Sequence, residues 1–206
     1  MAVNTVEIFP KTLLHVENQL TAANTALDGT GLMVRIFTGT TNGARLDRFN
    51  AKAIASSVAG MIRFFRGTLV VSGTAQAGGA NTITLAAGSS STDSFYNNQQ
   101  ITITSGTGSG QTRCITGYVG VTKVATVNSN WTTQPDATSV YDIVQCRLVH
   151  EETVDARTIG ASTAAVEITL APPDFRRIFN PNEFLYVSTE KAETFNVDAE
   201  GGDFTG

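Results

Sequence analysis

Val71–Ile143 reads VSGTAQAGGANTITLAAGSSSTDSFYNNQQITITSGTGSGQTRCITGYVGVTKVATVNSNWTTQPDATSVYDI, and its composition departs from both flanks. Between Ser72 and Val140 only four side chains are charged: Asp93, Arg113, Lys123 and Asp136. The remainder is Thr, Ser, Gly, Asn and Ala, with short β-branched runs between turn signals. The spacing predicts strands near Thr68–Ser72, Asn81–Ala86, Gln100–Thr104, Thr112–Tyr118, Lys123–Val127 and Val140–Gln145. Short strands recurring about every 8–12 residues between Gly-rich turns are the pattern of a small sandwich or barrel. Ile101, Ile103, Ile115 and Val124 alternate with Thr, which places one face on a small core and a hydroxyl face in solvent. Phe95, Tyr96, Tyr118 and Trp131 are candidates for surface recognition, as a sugar-stacking platform. Packing into the core is the stronger expectation, because a unit this small needs large side chains to have a core at all.

The flanks are richer in charge and in large apolar residues. Gly31–Thr38 (GLMVRIFT) sets Leu32, Val34 and Ile36 against Met33, Arg35 and Phe37. Arg45–Ala55 alternates imperfectly and predicts a bulge near Asn50. Gly60–Arg66, Gln145–Val154, Ala164–Leu170, Glu183–Thr189 and Glu193–Ala199 complete the strands, with Pro172-Pro173 ending one and Gly201-Gly202 closing the chain. A helical turn is expected at Phe175–Ile178. Before Gly31, Val16, Leu20 and Ala23 recur at near-helical spacing and suggest an arm with a short helix around Thr12–Gln19. The reading is therefore all-β: an N-terminal arm (1–30), a jelly-roll-like β-sandwich host (31–67 and 145–206), and an inserted small β-barrel or sandwich module (68–144).

The chain's 206 residues allow one large or two small domains. A net charge of −4 argues against nucleic acid as a partner, since phosphate binding needs a basic footprint. No run approaches the roughly 20 apolar residues of a membrane span, and Met1–Val16 lacks the basic and apolar regions of an export signal. Cys114 and Cys146 form no CxxC pair and read as small hydrophobes on strands.

Catalytic and metal signals are weak. Ser105–Gly110 (SGTGSG) has glycines at alternate positions, but Gln111 follows where a phosphate loop would carry GK, and the next segment alternates as a strand. It reads as a hairpin turn. His150-Glu151-Glu152 lacks the second histidine of HExxH, with Val154 in its place, and His15 is the only other histidine. No metal and no cofactor is expected, and no nucleophile elbow is present. Glu151, Glu152, Asp155 and the acidic tail (Glu190, Glu193, Asp198, Glu200, Asp203) read as solvated or interfacial strand faces.

The run from Ile101 to Ile143 resembles a module of tailed-bacteriophage structural proteins: an ITSGTGxGQxRxI hairpin, a TKVATV strand, then Trp131 and PDATSVY. The flanks, TAANTALDGTGLMVRIFTGTTNGARLDRFNAKA and the terminal VDAEGGDF, are similar to small β-sandwich proteins of phage particles, including capsid decoration (cement) proteins. The resemblance implies a non-enzymatic virion protein on the capsid surface, made in the host cytoplasm. Its partner would be the major capsid protein, and it would form a homo-oligomer, with a trimer as the expectation. The alternative is a tail, fibre or baseplate component binding host-surface glycans. An enzyme such as a depolymerase would need clustered carboxylates in a cleft.

Overall fold

The computed structural model describes residues 12–172 and 177–204. These form fourteen strands, and there is no helix among the described residues. In chain order they are β1 (Leu13–Leu20), β2 (Val34–Thr38), β3 (Ala44–Ala53), β4 (Gly60–Thr74), β5 (Ala77–Gly78), β6 (Thr82–Thr84) and β7 (Gln100–Ser105). They continue as β8 (Thr112–Val119), β9 (Val124–Val127), β10 (Val140–Val154), β11 (Glu167–Leu170), β12 (Arg177–Phe179), β13 (Glu183–Thr189) and β14 (Phe195–Asp203). Two antiparallel sheets result. The smaller runs β1-β14-β3-β11, with β12 also on β3. The larger runs β2-β13-β4-β10-β7-β8-β9-β6-β5 and curls into a half-barrel.

β1 occupies the stretch for which a short helix is expected. Its Leu14, Val16 and Leu20 sit opposite Gly201, Ala199 and Phe195 of β14, while His15, Glu17 and Gln19 alternate outward. An open edge on β14 supplies the backbone partners, and the period-2 pattern then buries Leu20 where a helix would have no partner. Gly201 and Gly202, expected to end the chain, lie inside β14 against both β1 and β3. The expected bulge near Asn50 falls instead at Asp47, where β14 steps from Arg48 to Leu46. Of Phe175–Ile178, Arg177 and Ile178 are described, and they belong to β12 (Arg177–Phe179), a strand on β3 rather than a helical turn. Phe175, Arg176, Pro173 and the arm before Thr12 lie outside the described residues.

β4 and β10 are each 15 residues long and pair with one another throughout. At about 3.3 Å per residue such a ribbon reaches up to about 50 Å. Gly67 and Gln145, where composition changes, lie in mid-strand and pair within this ribbon. Two bulges govern which side chains share a face. Val70 is the extra residue on β4 and Val149 the extra residue on β10. Each reverses the alternation of its own strand against the partner. Thus Val71 and Ile143 face one core, whereas Leu69 and Val144, just beyond the Val70 bulge, face another.

Three apolar cores follow. The first fills the space between the two sheets, with Phe49, Leu46, Phe179 and Phe195 from the small sheet meeting Ile36, Ile62, Phe64 and Val187 from the large one. Phe49 and Phe64 meet edge to face at 4.8 Å. The second, around Ile83, Ile101, Ile115, Tyr118, Trp131 and Tyr141, belongs to the hydroxyl-rich stretch. The third lies inside the curl of the large sheet: Met33, Phe65, Val144, Cys146, Phe184 and Tyr186.

Candidate functional site

The aromatic candidates separate on burial. Tyr96, Tyr118 and Trp131 are inside, and Phe95 is 51% exposed. Tyr96 and Tyr118 pack edge to face at 4.8 Å. The Tyr96 hydroxyl accepts the Ser90 N–H, the Tyr118 hydroxyl donates to the Ser90 carbonyl, and the Trp131 indole N–H donates to the Thr82 carbonyl. Burial raises the Tyr118 phenol's pKa, so it stays a neutral donor. These three hold strands and loops together and present no stacking platform.

The hairpin and the residues after it are likewise committed to the fold. Gly106, Gly108 and Gly110 all take positive φ, which explains glycine at alternate positions. The Gln111 amide donates to the Gly108 and Thr133 carbonyls and accepts from the Thr132 and Thr133 N–H groups. It clamps backbone where a phosphate loop would place a lysine. Asp136 accepts from the N–H and hydroxyl of Thr138 and from the Thr107 hydroxyl, and the Thr138 and Thr107 bonds hold its pKa below the usual range. Tyr141 accepts the Ala86 N–H. Each polar position of the GQ and PDATSVY pattern therefore has an internal partner.

A polar junction missed in the sequence joins the curl. Arg35 on β2 reaches Asp142 on β10 at 2.9 Å, with their side chains 13% and 16% exposed. Its Nε donates to the Tyr186 hydroxyl at 3.0 Å, and its guanidinium lies 4.0 Å from the Phe184 ring. The Tyr186 hydroxyl also meets that of Thr102, and Ser72 donates to the other Asp142 oxygen. Gln100 donates to the Gly29 and Gly31 carbonyls. Burial pushes Tyr186 and Cys146 each up to about 12, and raises Cys114 as well. Both cysteines are free and buried, hence poor nucleophiles.

Most of the suspected carboxylates are paired or tied down, and Asp155 is exposed. Glu151 binds Arg63 at 2.8 Å, with Glu190 at 3.8 Å from the same guanidinium. Glu152 lies 3.5 Å from His150. Glu193 accepts the Val58 N–H, Asp198 accepts from Asn50, and Asp203 accepts the Thr12 N–H. A cleft of about 300 Å³ lies between Gln19–Ala22, Leu32–Val34 and Gly110–Arg113. Its lining is neutral apart from Arg113, so it holds no carboxylate pair for general acid–base work.

Two groups of exposed apolar side chains stand out, one where the ribbon's β4 starts and β10 ends and one on the hydroxyl-rich head. Where β3 ends and β4 and β10 meet, Ile54, Val58 and Ile159 are 54%, 54% and 41% exposed. Their loops are joined by the Ser57–Arg157 backbone pair and by the Ile159 N–H to Ser56. On the hydroxyl-rich head, around the β8–β9 turn, Phe95, Val119 and Val121 project, on loops tied by the Asp93 carboxylate to the Gly120 N–H. No family model, curated protein or solved structure matches the chain.

Proposed function

We propose that this protein is a non-enzymatic structural component of a tailed-bacteriophage particle that decorates and cements the capsid. The observation that carries the reading is the unbroken β4–β10 ribbon, with a compact apolar loop tip at one end and a hydroxyl-rich head at the other. In this reading the jelly-roll-like sandwich is the host and the head is an inserted module. The Ile54/Val58/Ile159 tip and the N-terminal arm bury apolar surface on neighbouring major capsid subunits, and a trimer places three tips around a local three-fold position. Burying such a side chain contributes about 1.5–3 kcal/mol, so three tips per trimer give a firm anchor without charge. The internal commitment of the motif residues and the sequence resemblance support the same reading.

The test is re-addition of purified protein to particles lacking it. Wild type restores resistance to genome loss on heating, and I54D/V58D does not bind. Equal binding by I54D/V58D refutes the tip as anchor. A second reading, a tail, fibre or baseplate component, draws on the exposed Phe95/Val119/Val121 group at the head. It predicts that F95S/V121D lowers adsorption to host cells while leaving particle stability unchanged.

A further inference from the structure

The outward face of the small sheet carries a donor set that the proposed function does not use. β1 and β14 pair so that His15 stands opposite Glu200 and Glu17 opposite Asp198. Strand alternation puts all four on the solvent side, opposite to the inward-facing Leu14 and Leu20. One donor atom each from His15, Asp198 and Glu200 lies within 4.8 Å of the other two. Donors around a single first-row ion at about 2.0–2.2 Å stand about 3–4 Å apart, so small side-chain rotations bring these three into one shell.

The surroundings orient the donors. Asn50 donates to Asp198 Oδ2 at 2.9 Å, which fixes that carboxylate and leaves Oδ1 for an ion. Arg48 stands 3.7 Å from Glu200 and Glu17 stands 3.8 Å from His15. Three carboxylates against one guanidinium leave the local field favourable to a cation. Next to Asp198 an open depression bordered by Glu17, Gln19 and Asn196 gives access and room for water ligands.

The geometry points to a divalent transition-metal site formed by His15, Asp198 and Glu200 across β1 and β14. An imidazole nitrogen with two carboxylates suits Zn²⁺ or Co²⁺ better than Ca²⁺, which takes oxygen ligands alone. The ion would tie the N-terminal edge strand to its neighbour. Sequence inspection had no means of finding it, because His15 and its two carboxylate partners are far apart in the chain and none belongs to a spaced motif.

The experiment uses the full chain with Zn²⁺ in calorimetric titration and Co²⁺ in visible absorption. The chain has two histidines, so H150A is an internal control. The expected result is one ion per chain in wild type and in H150A, with at least tenfold weaker binding in H15A, D198N and E200Q. Zn²⁺ should raise the melting temperature of wild type and leave that of H15A unchanged. Circular dichroism of each variant without metal checks folding, and H15N replaces H15A if the latter is unfolded. No binding by wild type at millimolar ion, unchanged binding in the folded His15 variant, or loss of binding in H150A overturns the site.

Discussion

Removal of Asp142 tests the junction inside the curled sheet most directly. The carboxylate meets the Arg35 guanidinium at 2.9 Å, and both side chains are at least four-fifths buried. In Asp142→Ala the guanidinium keeps the Tyr186 hydroxyl and the Phe184 face but loses the carboxylate at 2.9 Å. Breaking a buried pair from one side costs about 3–5 kcal/mol, against about 0–1 kcal/mol for a surface pair. The residual exposure places this pair near the lower end, so about 3 kcal/mol is expected. Arg35→Ala should cost less, because Asp142 keeps its Ser72 hydrogen bond. The coupled pair should make the double variant milder than the sum of the singles by more than about 1 kcal/mol. Arg35→Met with Asp142→Leu should recover much of the loss by replacing the pair with apolar volume. Urea denaturation of wild type and the four variants gives the numbers. A cost under about 1 kcal/mol for Asp142→Ala, or strict additivity, refutes the claim that this bridge holds the curl.

Two further outcomes follow from the same structure. Cys146 and Tyr186 are both pushed up to about 12 by burial, from ordinary values of 9.0 and 10.0. Their folded values are raised, so their contribution is complete below about pH 9 and is lost as pH rises towards about 12. The urea midpoint should fall across that window and fall less in Tyr186→Phe, and neither thiol should react with a thiol-specific reagent until the chain unfolds. Gly106→Ala should destabilise by more than about 1 kcal/mol, since φ is +77° and the added Cβ would lie 2.1 Å from the Thr138 carbonyl oxygen. Gly110→Ala, with a positive φ but no neighbour within 4 Å, should cost less, and equal losses in thermal melts would contradict the steric account.

Much of the architecture is visible in local patterns. Gln100–Ser105 alternates Ile with Thr, and such period-2 alternation marks a strand. Gly106, Gly108 and Gly110 mark a turn because each of these three glycines takes positive φ. Trp131, Tyr118 and Tyr96 belong to a core for a reason of scale that composition alone carries. What the tertiary structure decided is wherever a residue's partner is distant. Leu13–Leu20 fits a helix or a strand locally, and only the free edge of β14 selects the strand. The bulges at Val70 and Val149 exist in pairing and not in composition, yet they decide which core each side chain enters. The boundary suggested by composition near Gly67 and Gln145 lies within two continuous strands, because hydrogen-bonded pairing continues across a change of side-chain chemistry. Arg35 and Asp142, or His15 and Glu200, carry no mark of each other in sequence. Their meeting is a consequence of sheet order and register, which are set by the summed burial of the whole chain.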